Sequence, residues 1–381
     1  MNSRERMLAA LHGKVPDRLP VTTHHLMPSF LDTYLNGVSE TDFFDLFGLD
    51  PTRWVWDSKP NEACGDYWLP GDGDRRWICS DNWRINAFEQ TGSRNNAVRY
   101  DIVTPGGTLS TVLEETHHTA WVVERLVKNK SDIELIGKYA PTPLCDVDVV
   151  NRHAAEWGEC GIVRGSVPSF EIYGQPGCWQ DAAVLFGIQE LIMETFDDPA
   201  WVHELLGILK RRKLPTIASM KDAKFDIIEL GGGDASSTVI SPDIFDKFVA
   251  PYDSELIAEA HRAGQKVVYH TCGGMMPLLE QIADMSPDAM ETFTPPSLGG
   301  DTDLAEAKAR IGDRVCMVGG FDQWRYFQGC SPAETRRAVR RCFEEAGEGG
   351  GFILAPSDHF FDADVELIKA FAEEARACKY R

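Results

Sequence analysis

The sequence predicts an α/β chain, a (β/α)8 TIM barrel with an N-terminal helical and β-rich insertion, and three observations carry that prediction. From about residue 160 onward, short apolar runs alternate with longer segments of helical period, the pattern of a parallel sheet wrapped by helices. The apolar runs end, one after another, in ionisable residues. No GxGxxG follows an early strand, which argues against a dinucleotide-binding sheet. A chain of 381 residues suits one such barrel with insertions, and we read 1–381 as a single domain.

In chain order, MNSRERMLAALHGK has a helical pattern with a polar face and lacks the apolar core and small-residue cleavage site of a secretory signal. The stretch from about 53 to 125 is rich in aromatic residues (RWVWDS, DYWLPGDGDRRWICSDNWRI, YDIVTPGGTLSTVLEE). Turn residues break it into short alternating runs, so it reads as a β-meander inserted near the barrel mouth, either a lid or a structural cap. The barrel strands expected downstream are GIVRGSV (161–167), FDIIELGG (225–232), KVVYHTC (266–272), DAMETF (288–293), RVCMVGG (314–320) and GFILAPS (351–357). Helices fall between them, including AAVLFGIQELIMETF, PAWVHELLGILKRRKLPTIASMKDA, PDIFDKFVAPYDSELIAEAHRAG, PAETRRAVRRCFEEAG and DVELIKAFAEEARAC. Several open at Ser or Pro, as in SPDIFDKF and SPAETRRA, and stop at Gly, as in HRAG and EEAG.

A formal net charge of −21 argues against a nucleic-acid partner, because binding a phosphate backbone needs Lys and Arg to displace counterions. No run reaches the roughly 18 apolar residues of a membrane span, so we expect a soluble, cytoplasmic protein with no membrane partner. The ten cysteines include no CxxC and read as reduced thiols, mostly in the core.

A barrel builds its site at the C-terminal ends of its strands. Those ends supply His24 and His25, Arg164 and Ser166, Glu229 with Asp234, His270 and Cys272, Glu291, Asp322, and then Ser357, Asp358 and His359. So many ionisable groups would be costly to bury without partners. Residues 267–274 read VVYHTCGG; alternate side chains of an extended segment face one side, so His270 and Cys272 should point together. An imidazole and a thiol suit Zn2+, whose catalytic sites keep one position open. Further ligands are expected from Glu229, Asp358, His359 or an N-terminal histidine. Of His24 and His25, adjacent on a strand, at most one should look into the barrel. Glu229 has an alternative place at a helix N-terminus, and Asp358 as the cap of the following helix. Cys316 lies in mid-strand and reads as core, and Cys330 as a loop residue outside the mouth.

RERMLAALHGKVPDRLPV, TPGGTLSTV, SPDIFDKFVAPY, YHTCGG and GGGFILAPSDHFFDADVELIKAFAEEAR together resemble the uroporphyrinogen decarboxylase superfamily over nearly the whole chain, in the expected order. The resemblance implies a barrel with its site at the C-terminal mouth. Decarboxylases of that superfamily carry an arginine-rich segment of the type MRQAGR after the first strand; here it reads THHLMPSFLDTY, without arginine. The other branch holds zinc-containing, cobalamin-dependent methyltransferases, whose metal motif is HxC followed by a distant Cys in a PGCG segment. His270 and Cys272 match the HxC, while APSDHFF stands where PGCG would be.

A carboxylate or imidazole in place of a thiolate makes a harder site and a stronger Lewis acid. The resemblance therefore implies transfer of a methyl group from a small O- or N-methyl substrate. Its metal ligands would come from His270, Cys272, Glu229, Asp358 and His359, its catalytic groups from Glu229, Glu291, Asp358 and His359, and its substrate pocket from His24, His25, Arg164, Asp234 and Asp322. No corrinoid-binding DxHxxG segment occurs, so the cobalamin is expected on a separate corrinoid protein. The resemblance also allows a homodimer. The rival readings are a metal-dependent lyase, hydrolase or decarboxylase on the same barrel, and a non-catalytic binder of a tetrapyrrole or other small ligand.

Overall fold

The computed structural model describes residues 1–381 except 56–57, 74, 93–94, 117–118, 171–175 and 381. Trp56, part of the aromatic stretch, lies outside the described residues. Seven parallel strands stand side by side in chain order: Thr52–Trp54, Ile162–Ser166, Ile227–Gly231, Val267–His270, Ala289–Thr292, Cys316–Phe321 and Phe352–Pro356. The segment around Val21 closes the ring. Val21 pairs in parallel with Leu354, Thr22 N–H donates to Leu354 O at 3.0 Å, and Leu354 N–H donates to Pro20 O at 2.9 Å. On its other flank Asp50 N–H donates to Val21 O at 2.7 Å, next to the strand that begins at Thr52. The (β/α)8 barrel expected from the sequence is thus present, with a very short first strand.

The strands form where apolar residues run without interruption, because a parallel barrel strand is covered by helices outside and by side chains within. Every residue of Ile227–Gly231, Val267–His270 and Ala289–Thr292 is buried. The first helix, Ser3–Leu11, carries a capping box of Asn2 and Glu5. Its Met7, Ala10 and Leu11 pack on Ile162, Ile227, Val268, Ala289, Cys316 and Ile353. These residues lie at the beginnings of the strands, so the helix plugs the N-terminal end and leaves the other end open as the mouth. Cys316 is a core residue of this plug, as expected.

Asp50 is fully buried and accepts from Arg6, from Arg18 and from Val21 N–H. One carboxylate thereby holds the plug and the closing segment together.

The helices follow their caps, with two differences from the sequence pattern. AAVLFGIQELIMETF is broken at Gly187, whose φ of 114° ends Cys178–Phe186 and starts Ile188–Asp197. PDIFDKFVAPYDSELIAEAHRAG contains a π-helical turn, Phe245–Val249, just before Pro251, where a missing N–H would interrupt α-helical bonding. The aromatic stretch begins with a barrel strand, Thr52–Trp54, and continues into a four-stranded antiparallel sheet of Arg84–Gln90, Asn96–Thr104, Gly107–Glu115 and Ala120–Glu124. Trp83, just ahead of that sheet, meets Phe170 edge to face at 6.4 Å, close behind the strand Ile162–Ser166. Among the described residues no helix is long and apolar enough to cross a membrane.

Candidate active site

Register puts the functional strand ends at neighbouring heights: Ser166 lies opposite Glu229, Gly231 opposite His270, and His270 opposite Glu291. Arg164 sits two residues before Ser166 and so shares its face. Its Nη2 donates to Glu229 Oε2 at 2.6 Å and its Nη1 to Glu291 Oε2 at 2.8 Å, while Nη2 also donates to Glu291 Oε1. All three residues are buried. A guanidinium fork between two carboxylates is the arrangement that allows such charges to be buried together. Glu229 therefore serves Arg164 rather than a helix N-terminus.

His270 Nδ1 donates to Glu291 Oε1 at 2.9 Å. Burial disfavours ionisation of Glu291, yet Arg164 and the His270 hydrogen bond hold its carboxyl well below the usual carboxylate range. Burial likewise opposes a charge on His270, but hydrogen bonds to Cys272 and Glu291 and the nearby charge of Glu229 push its pKa well above that of an ordinary imidazole. A cation binding here must displace that proton.

His24 joins the group from across the barrel, its ring 5.4 Å from that of His270. Ligand atoms of His24, His270 and Glu291 all lie within 4.8 Å of one another, and the three residues are buried. Burial, then the neighbouring His25, holds His24 well below the ordinary imidazole pKa, so it is neutral and able to ligate.

A second group shares His24. His24, His25 and His359 also bring ligand atoms within 4.8 Å of one another. The rings of His24 and His25 are 4.7 Å apart, and each meets His359, at 4.9 and 5.1 Å respectively. The expectation that at most one of the adjacent histidines faces the barrel is overturned: pairing stops near Val21, the backbone bends at His24, and strand alternation no longer applies. His25 is stacked on Trp54 at 4.0 Å on one side and on His359 on the other, while Arg164 lies over the far side of Trp54 at 4.2 Å. Guanidinium, indole and two imidazoles thus form one column of plates along the mouth.

The remaining candidates divide. Cys272 lies past the end of Val267–His270, half-buried, and its side chain bonds that of His270. Among the described residues, Cys272, Glu229 and Asp358 enter neither group of three potential ligands. Asp358 Oδ1 accepts from His359 Nδ1 and from His359 N–H, each at 2.7 Å. Burial works against its charge, but His359 keeps its pKa low. Asp358 is not the cap of the last helix; Asp364 is, accepting from Glu366 N–H at the start of Val365–Ala377.

Ser357 is buried and donates to Phe321 O, closing strand ends together, and Ser166 donates to Val167 O. Asp234 exchanges two hydrogen bonds with Gln180, at 2.8 and 2.9 Å. Asp322 caps the short helix Gln323–Tyr326 and accepts from Ser297 at 2.5 Å. Sequence reasoning missed Trp54 as part of the site. Its signal was available, a tryptophan two residues after the Asp50–Pro51–Thr52 turn into a strand, but the strand itself was too short to read.

A family described as uroporphyrinogen decarboxylase (URO-D) has a sequence model that matches residues 165–378. Among curated proteins, the uroporphyrinogen decarboxylase of Psychromonas ingrahamii is 27% identical over 204 residues, which cover 50% of this chain and 53% of that protein. That of Hydrogenovibrio crunogenus is 26% identical over 163 residues, covering 42% and 43%. The chain thus spans about half the length of the curated relatives it matches. Among solved structures, a methyltransferase from Methanosarcina mazei shares the fold, with a TM-score of 0.61 over 98% of both chains at 16% identity.

Proposed function

The chain belongs to the uroporphyrinogen decarboxylase (URO-D) family, and from that premise we propose that it is a zinc-dependent methyltransferase, moving a methyl group from a small O- or N-methyl substrate to a corrinoid carried by a separate protein. The observation that carries this reading is the buried set of His24, His270 and Glu291 at the barrel mouth, whose ligand atoms lie within 4.8 Å. Two imidazoles and a carboxylate make a donor set that catalytic zinc takes, with a fourth position open. Glu291 also has room for the ion: a carboxylate offers about four lone-pair sites, and Arg164 and His270 occupy three of them. The residues therefore fit the metal. When bound, Zn2+ would supply Lewis acidity at the oxygen or nitrogen that bears the methyl group.

The chain's own residues prepare that position. Arg164 keeps Glu291 ionised and fixed, Glu291 sets the ring orientation of His270, and burial keeps His24 uncharged. A decarboxylase acting on a polycarboxylate would need a free guanidinium to clamp its substrate. Arg164 is committed to Glu229 and Glu291, and the segment after the first strand carries no arginine, so methyl transfer is the better-supported chemistry.

The test is direct. Purified protein should hold about one zinc per chain, and the His24→Ala/His270→Ala double variant should hold none. Mixed with cob(I)alamin and a panel of methyl ethers and methylamines, the zinc-loaded protein should generate the methylcobalamin spectrum. A folded wild-type chain that takes up no zinc would sink the proposal, as would turnover of the same donors without cobalamin.

A further inference from the structure

The second histidine group lies outside the metal set just described, and it differs from that set in one respect that matters for traffic. His24, His270 and Glu291 are 8%, 3% and 1% exposed, whereas His25 is half-buried and the His359 side chain is 33% exposed. His24 belongs to both groups. We propose that His24, His25 and His359 form an outer cation site, at which zinc is first captured and from which His24 passes it to the buried set. The proposal rests on reading the buried set as the zinc site.

Three observations support it. The outer rings are held in place before any ion arrives: His25 is stacked between Trp54 and His359, and Asp358 accepts from His359 Nδ1 at 2.7 Å. A carboxylate on one ring nitrogen fixes the tautomer, leaves the other nitrogen free and raises its basicity, as the partners of metal-bound histidines do. Second, three imidazoles are a sufficient zinc ligand set with one position left open. Zn–N bonds of about 2.0–2.1 Å place tetrahedral ligand atoms about 3.3 Å apart, so side chains already within 4.8 Å need only small rotations. Third, the two sets overlap in one residue, so they compete for a single ion, and an exchange of partners around His24 moves it inward without release to solvent. The chain's charge of −21 draws cations towards the protein.

The test uses Zn2+ alone, added to full-length protein stripped by a chelator, with uptake followed in a stopped-flow instrument against a chromogenic zinc indicator. The His25→Gln/His359→Gln variant should load at least about tenfold more slowly than wild type, yet reach the same one zinc per chain. Full loading also reports that the variant is folded and its buried set intact. His270→Ala should still bind one zinc, about 10- to 100-fold more weakly, and adding His25→Gln and His359→Gln to it should abolish binding. Loading of the double variant at the wild-type rate, or complete loss of zinc in His270→Ala, would overturn the outer site while leaving the buried site standing. Wild type that binds no zinc would overturn both readings.

Discussion

Replacing Arg164 by methionine keeps most of the side chain's volume and removes the charge that lies between Glu229 and Glu291. The guanidinium makes three charge-assisted hydrogen bonds to those carboxylates, and its side chain is 8% exposed. Removing one partner of a buried ion pair typically costs about 3–5 kcal/mol, because the remaining charge has neither water nor a counter-ion. Here two carboxylates would be left, so the upper half of that range is expected. The pH dependence supplies a signature that a packing defect would lack.

In the wild type the Glu291 pKa is depressed, so its contribution is fully present above the unfolded carboxylate pKa of about 4.3 and is lost only as pH falls through the lower folded value. Glu291 therefore contributes no gain in wild-type stability as pH falls from about 8 to about 5, although His270 and Asp253, whose folded pKa values are raised, do. In Arg164→Met the folded pKa of Glu291 rises above about 4.3, the native state takes up a proton the unfolded state does not, and the stability deficit relative to wild type should shrink as pH falls over the same window. Urea unfolding of metal-free protein, followed by far-UV circular dichroism at several pH values, measures both quantities. The triple variant Arg164→Met/Glu229→Gln/Glu291→Gln should regain most of the loss, because no buried charge is left unpaired. A loss below about 1 kcal/mol in Arg164→Met, the scale of an exposed pair, or an unchanged pH profile, would refute the reasoning.

Other predictions follow from groups away from the charge cluster. Asp253 is buried beneath Tyr269 and pushed up to about 6 by burial, against the pull of hydrogen bonds from Tyr269 and Cys178. Its folded state therefore holds a proton that the unfolded state releases, so the Asp253 contribution to stability should fall by about 3 kcal/mol as pH rises from about 4 to about 6 and stay level above. Asp253→Asn lacks this titration, and its stability relative to wild type should improve across that window; a constant difference would count against the assignment. At Gly231, φ is +111° and a Cβ would lie 2.4 Å from His270 O, whereas at Gly264, φ is +82° with open space around it. Gly264→Ala should cost about 1 kcal/mol, and Gly231→Ala clearly more. Only Gly231→Ala should also weaken zinc binding, because it displaces His270; equal effects on Tm and on zinc titration would contradict this.

Barrel strands from residue 160 onward were legible because each is an unbroken apolar run of about ordinary length. The first two were not: one amounts to a single bridge at Val21 and the other to three residues, Thr52–Trp54. Period cannot be read from so few positions, and the closing interactions depend on Asp50, whose partners Arg6 and Arg18 are remote in sequence. The site residues were found by asking which ionisable groups end strands, and that question returned His24, Arg164, Glu229, His270 and Glu291. How they pair was not legible, since Arg164 could have faced substrate as readily as two carboxylates until register and strand closure placed all three in the lumen. The HxC pattern singled out Cys272, but the residue that crosses the barrel to meet His270 is His24. That neighbour is set by ring closure, which sequence spacing does not encode.

The column of Arg164, Trp54, His25 and His359 has an optical consequence. Burial holds His25 well below the ordinary imidazole pKa, so the change its ring undergoes near neutral pH is the uptake of a metal, to which an indole stacked on it should respond. Trp54 touches His25 at 4.0 Å, so light emitted from inside the barrel reports the state of the outermost ligands. A difference spectrum between wild type and Trp54→Phe isolates that signal from the other tryptophans, and the protein thereby carries its own indicator for each step at the mouth.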